Sequence, residues 1–296
     1  MAYFDLCKNS AKITALKSSM YLFKLISYLP LRVLYVFTDI LYLIGYHLLR
    51  YRQKVIKENL AYSFPEKSEA ERKKIAKQFF RSLTDSFAET LKFYTISKRG
   101  LEERITISNG DLIADRVKNG EIVIMVSGHF INWEAYVIAY KALVDPRLET
   151  VYSKLSNRLF NSLMKAIRGR FGGTLVEKSN FSRNFLENRK VPRAIGLAAD
   201  QRPTKAESRY HALFMNRKTA FFEGPEKLAK KNGYAVVYIN MKRPKRGYYH
   251  LNYELLSEPP YTDAPANSVT DAFIKLTEKG IREQPEIYLW SHNRWK

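Results

Sequence analysis

From Met20 to Leu49 the chain is almost continuously apolar, and this is its longest hydrophobic stretch. Lys24, Arg32 and Asp39 are the charges inside it, and Pro30 divides it. A single crossing helix needs about 20 apolar residues, and Asp39 mid-run works against one. A shallow or re-entrant pair of hydrophobic helices broken at Pro30 avoids that cost. A core helix of a soluble domain is the plainer alternative. No small-residue cleavage site follows the run, so it does not read as a signal peptide. Basic residues lie on both sides, so loop charge favours no orientation; the pattern is compatible with both ends facing the cytoplasm. Residues 1–50 are predicted as a hydrophobic, membrane-associating helical segment, and residues 51–296 as one α/β domain.

Beyond residue 50 the period is helical. Lys54 to Phe64 ends at Pro65, and Ser68-Glu-Ala-Glu71 gives the serine-acid spacing of a capping box. The helix this opens, Ala70 to Phe93, places Ile75, Phe79, Leu83, Phe87 and Leu91 on one stripe. After residue 100 the period changes. Glu121–Ser127 is a short continuous apolar run rich in β-branched residues, as in a strand covered on both faces. Strand-like segments (150–153, 174–177, 194–199, 234–241, 248–255) then alternate with helical ones (133–143, 158–171, 181–188, 224–232, 267–282). The last two strands are expected to pair across Pro244–Gly247. Such alternation predicts an α/β fold with a mostly parallel central sheet flanked by helices.

The chemistry concentrates at the end of the most hydrophobic strand. Ligands in such sheets lie beyond the carboxyl ends of the strands, and His129 follows Ser127-Gly128 there. Glu134 comes five residues later, where a carboxylate can fold back to hold one imidazole nitrogen as N–H and leave the other basic. A base without a protein nucleophile suits deprotonation of a substrate hydroxyl. No G-x-S-x-G elbow is present, and no H-E-x-x-H or cysteine cluster suggests zinc; Cys7 is the only cysteine. Taken alone, a histidine after a strand is more often a satisfied structural residue than a base.

Several blocks in order extend this reading. Asn59-Leu-Ala-Tyr-Ser-Phe-Pro65, Gly128-His-Phe-Ile-Asn-Trp-Glu134, Arg168-Gly-Arg-Phe-Gly172, Ala199-Asp-Gln201, Phe221-Phe-Glu-Gly-Pro225 and Trp290-Ser-His-Asn-Arg-Trp295 together resemble the bacterial lipid A biosynthesis (lauroyl/myristoyl) acyltransferases. The hallmark of that family is a histidine, four residues and an acid at a strand end. The resemblance implies acyl transfer from a thioester to a hydroxyl of a lipid A precursor or related glycolipid. It makes His129 the general base and Glu134 its partner. Arg168 or Arg170 would bind a phosphate or steady an oxyanion. Asp200 would position a hydroxyl or pair with an arginine, and Asn132 would shape the pocket or cap the helix. The segment Arg202–Lys218 carries no clear motif. His292 in the C-terminal basic-aromatic cluster reads as packing or interface contact rather than a second base.

The resemblance also implies a partner set: an acidic acyl carrier protein as thioester donor, an anionic membrane surface and a glycolipid acceptor. The thioester is a co-substrate, and no cofactor or metal is expected. The setting would be the bacterial inner membrane, with the catalytic domain on its cytoplasmic side. Charge agrees: 50 Lys and Arg against 29 Asp and Glu give +21, a field that draws anionic partners and weakens with salt. Twenty tyrosines and a 14% aromatic content suit a surface that is half apolar and half wet. The alternatives are another membrane glycolipid or an aminolipid as acceptor and, in a different class, a basic nucleic-acid-binding protein. Against the last, Lys and Arg are spread along the whole chain and no nucleic-acid module appears, so no nucleic acid is expected.

Overall fold

The computed structural model describes residues 2–204 and 209–295, with side chains described from residue 14 onward. The side chains of Lys8 and Lys12 therefore lie outside the described residues.

A seven-stranded sheet forms the centre, in the order β1-β9-β8-β2-β5-β3-β4. Its strands are β1 (Ile105–Ser108), β2 (Ile122–Ser127), β3 (Leu148–Tyr152), β4 (Thr174–Glu177), β5 (Arg193–Ala198), β8 (Ala235–Lys245) and β9 (Tyr248–Ser257). All neighbours pair in parallel except β8 and β9, which form the expected antiparallel hairpin. β2 is buried at every position, which is why its sequence shows no polar alternation. The mostly parallel sheet flanked by helices matches the expectation.

The helices that matter below are α4 (Glu69–Lys92), α7 (Glu134–Ala139) continued by a π turn at Tyr140–Val144, and α8 (Arg158–Arg168). α4 starts on the predicted capping box: Ser68 accepts from the Glu71 N–H, and the Glu71 carboxylate accepts from the Ser68 N–H at 2.8 Å.

The segment Arg202–Lys218, which showed no motif, contributes to a separate antiparallel hairpin, β6 (Arg209–Phe214) and β7 (Arg217–Phe222); its residues 205–208 lie outside the described residues. Its turn is Met215-Asn216, both at positive φ, 48° and 66°. Two-residue hairpin turns need that conformation and normally take it with Asn-Gly or Asp-Gly. Here the fully buried Met215 side chain accompanies a left-handed backbone that its residue type disfavours, so the usual signal is missing.

At the N-terminal side, α1 (Ala2–Tyr28) and α2 (Leu31–Tyr42) break at Pro30, as the sequence predicted. α2 runs into a π turn at Leu43–Leu48, and Leu31–Leu48 is, among the described residues, the one helix long and apolar enough to cross a membrane. Lys92 closes the corner by donating to the carbonyls of Ser27 (3.0 Å), Tyr28 (3.3 Å) and Leu29 (3.0 Å). The structure also accounts for Asp39: its carboxylate pairs with Arg246 at 2.8 Å, and Arg246 reaches the buried Asp85 of α4 at 2.5 Å. Beside it, Thr38 bonds Asp85 and Tyr35 bonds Glu89. One stripe of α2 therefore lies on α4. The opposite stripe, with Val36, Phe37, Ile40, Leu41 and Leu43, is exposed.

Candidate active site

Strand register builds the site. β2 and β5 are adjacent and parallel, with Ser127 opposite Ala198. Two residues beyond each strand end stand His129 and Asp200, so groups 71 positions apart in sequence meet at one sheet edge. His129 Nδ1 lies 2.5 Å from Asp200 Oδ1, and the His129 backbone N–H donates to Oδ2 at 3.0 Å. Both carboxylate oxygens are thus engaged by one residue. Burial, and after it the Asp200 charge, push the pKa of the neighbouring Tyr288 phenol up. Gly128 fits for a reason of space: a Cβ there would lie 2.9 Å from the Phe130 ring, while its backbone is not left-handed.

The Asp200 side chain is 2% exposed and that of His129 16%. Burial pushes the Asp200 carboxyl up. The adjacent imidazole and the His129 N–H outweigh burial, with Arg294 assisting, and hold it below its ordinary value. Asp200 therefore stays ionised at neutral pH. Its contribution to stability is present above the unfolded-chain value and is lost as pH falls through the folded one. A carboxylate on Nδ1 holds that nitrogen as N–H and leaves Nε2 as the basic one. Among the described residues, no hydrogen bond uses Nε2.

Glu134 goes elsewhere. Its spacing from His129 predicts a carboxylate folded back onto the imidazole; in the structure it takes the Arg168 guanidinium in a fork, Nε to Oε2 at 2.8 Å and Nη2 to Oε1 at 2.5 Å. The physical reason is helix geometry. Glu134 opens α7, and its side chain points toward the end of α8, where Arg168 is the last residue. The Glu134 and Arg168 side chains are 4% and 17% exposed. Burial lowers the Arg168 pKa and the Glu134 charge raises it, with a net shift upward. Trp133 joins the two pairs. Its indole N–H donates to Glu134 Oε1 at 2.9 Å, and its ring stands edge-on to His129 at 5.5 Å.

The remaining candidates separate cleanly. Arg170 donates to the Phe93 carbonyl at 2.8 Å and lies over the Phe171 ring, so Arg168 is the arginine of this block that meets Glu134. Asn132 caps α7: its Oδ1 accepts from the Glu134 N–H at 3.1 Å and from Thr90 at 3.2 Å, and its buried Nδ2 has no partner among the described residues. The C-terminal cluster is more than packing. Tyr288 and Arg294 surround Asp200, and the His292 imidazole is near enough to feel both Asp200 and His129. Burial lowers the His292 pKa; Asp200 opposes this, while His129, Arg294 and Arg52 add to it. Nothing in the spacing of these residues announces their approach to Asp200, which depends on the chain folding back to pair Phe130 with Tyr288.

A family model described as bacterial lipid A biosynthesis acyltransferase matches residues 12–296. The chain belongs to that family. It is 26% identical over 250 residues to the lipid A biosynthesis palmitoleoyltransferase of Escherichia coli (strain K12), covering 84% of this chain and 80% of that one. It is 25% identical over 275 residues to the lauroyltransferase of the same organism, covering 92% and 88%. With the myristoyltransferase it shares 24% over 131 residues, covering 44% and 40%. The chain is therefore an acyltransferase, and membership in this lipid A family places the His129–Asp200 and Glu134–Arg168 pairs inside an acyl-transferring protein.

Proposed function

We propose that this acyltransferase moves a fatty acyl group from an acyl thioester, borne by an acidic acyl carrier protein, to a hydroxyl of a lipid A precursor or related glycolipid, with His129 as general base. The observation that carries the reading is the His129–Asp200 pair at the sheet edge, with Nδ1 held by the carboxylate and Nε2 left open. Nε2 accepts the proton of the acceptor hydroxyl as its oxygen attacks the thioester carbonyl. The tetrahedral intermediate expels the thiolate as the new ester forms, and the imidazolium returns its proton to the sulfur. Asp200 stays ionised and stabilises the imidazolium in between. Glu134 occupies Nε and Nη2 of Arg168, which leaves Nη1 as the donor for a substrate phosphate or the developing oxyanion.

The test is direct. Purified protein in detergent is given acyl carrier thioester and lipid A precursor, and the acceptor is weighed by mass spectrometry. One acyl increment is expected with wild type and none above background with His129→Ala. Equal product from both sinks the reading.

This chemistry takes place at the inner membrane surface, with the domain on the cytoplasmic side. The exposed faces of α1, α2 and the π turn after it (Tyr21, Leu22, Leu25, Val36, Phe37 and Leu48 among them) supply the apolar contact. Exposed Lys17, Lys24, Arg32, Arg50 and Arg52 around them suit anionic lipid. The bonds of Tyr35 and Thr38 to α4, and of Asp39 to Arg246, which also holds Asp85 of α4, support a segment that enters one leaflet without crossing. The sole cysteine, Cys7, reports on this. A membrane-impermeant maleimide is expected to label it in inverted vesicles and not in intact spheroplasts; labelling from outside contradicts the one-leaflet arrangement.

A further inference from the structure

Glu134 opens α7, and Lys141 lies in the π turn that continues it. Both reach the last residue of α8. Glu134 takes the Arg168 guanidinium, while Lys141 Nζ donates to the Arg168 backbone carbonyl at 3.0 Å. That carbonyl is among those the end of a helix leaves without an intrahelical partner, and the helix dipole is negative there.

Lys141 is only 3% exposed. An ammonium is costly to bury, and a lysine at such a position is rare without a purpose. Burial, then the charge of Arg168, push its amine down to about 8, and Glu134 opposes them. The fold makes room for it. Gly173 has φ +74°, and a Cβ there would stand 2.7 Å from Lys141 Cε, 3.0 Å from Nζ and 2.5 Å from the Leu148 carbonyl.

We propose that Lys141 is a positioning residue for acyl transfer: with Glu134 it clamps Arg168 by main chain and side chain together, fixing the Glu134–Arg168 pair beside Trp133 and the base. This rests on the acyl-transfer reading above. The role is that of the oxyanion donor: misplacing Arg168 by a fraction of an ångström weakens its hold on the charge that develops in the transition state, and so slows chemistry.

The experiment uses the full chain and compares wild type with Lys141→Met, Lys141→Arg and Gly173→Ala. It records kcat, KM, thermal unfolding and an NMR titration of the labelled lysine amines. Lys141→Met is expected to lower kcat about 10- to 100-fold with KM within about twofold, at temperatures where it is fully folded, and Lys141→Arg to recover part of the loss. Gly173→Ala, which crowds the amine, is expected to lower kcat in the same direction. The wild-type titration is expected to contain one amine near pH 8 that Lys141→Met removes. A Lys141→Met protein that melts earlier but keeps wild-type kcat overturns the positioning role, as does the absence of any amine titrating below the ordinary lysine range. Wild type that transfers no acyl group yet shows that amine overturns the acyl-transfer reading, and this role with it, while the clamp itself stays visible in the titration.

Discussion

Asp200→Asn is expected to slow acyl transfer by about 10³- to 10⁴-fold with the fold intact. The asparagine amide has the size of the carboxylate it replaces, so packing against Tyr288 and the His129 backbone survives. What changes is the proton on the ring. A carboxylate only accepts, so it fixes Nδ1 as N–H and leaves Nε2 basic; an amide can donate, and then the tautomer with its lone pair on the wrong nitrogen is favoured. The imidazolium formed in the reaction also loses the anion 2.5 Å from Nδ1. Single-turnover rates with saturating thioester, alongside circular dichroism, check this. An Asp200→Asn enzyme within about tenfold of wild type means the carboxylate has no part in catalysis.

Glu134→Gln is expected to act differently. It leaves the Arg168 guanidinium, 17% exposed, facing a neutral amide. Removing one partner of a buried ion pair costs about 3–5 kcal/mol, because the other charge stays desolvated and uncompensated. The variant should therefore unfold at markedly lower denaturant concentration as well as lose activity. Replacing both members with apolar residues of similar volume, Glu134→Leu with Arg168→Met, should regain most of the stability, since no buried charge is then left alone. It should regain none of the activity. Equilibrium denaturation of the three proteins decides; a Glu134→Gln protein as stable as wild type contradicts the paired geometry.

These two carboxylates mark where the sequence could and could not be read. β2, the capping box at Ser68 and the β8–β9 hairpin follow from local patterns, and the structure has them. His129 and Asp200 were each visible as strand-end residues. Their partnership was not, because it depends on β5 lying next to β2, with Ser127 opposite Ala198. That is a choice of strand order, made by tertiary packing. Glu134, five residues from His129, was the nearby acid that spacing favoured, yet the first turn of α7 carries it to Arg168. The Asp39 charge in an apolar helix read as a cost until its partner Arg246, 207 positions away, came into contact. Lys141 was illegible for a related reason: a lysine at a helical core position signals solvent, and only the orphaned carbonyl at the end of α8 explains it.

The choice between the two acids also gives the sharpest test of the mechanism. The protein contains five histidines, so 15N-histidine NMR can follow the ring proton on His129 Nδ1, assigned by its loss in His129→Ala. A downfield-shifted Nδ1–H signal is predicted in wild type and in Glu134→Gln, and its loss in Asp200→Asn. A signal that survives Asp200→Asn but disappears in Glu134→Gln would contradict the account, because Glu134 and not Asp200 would then be holding the base.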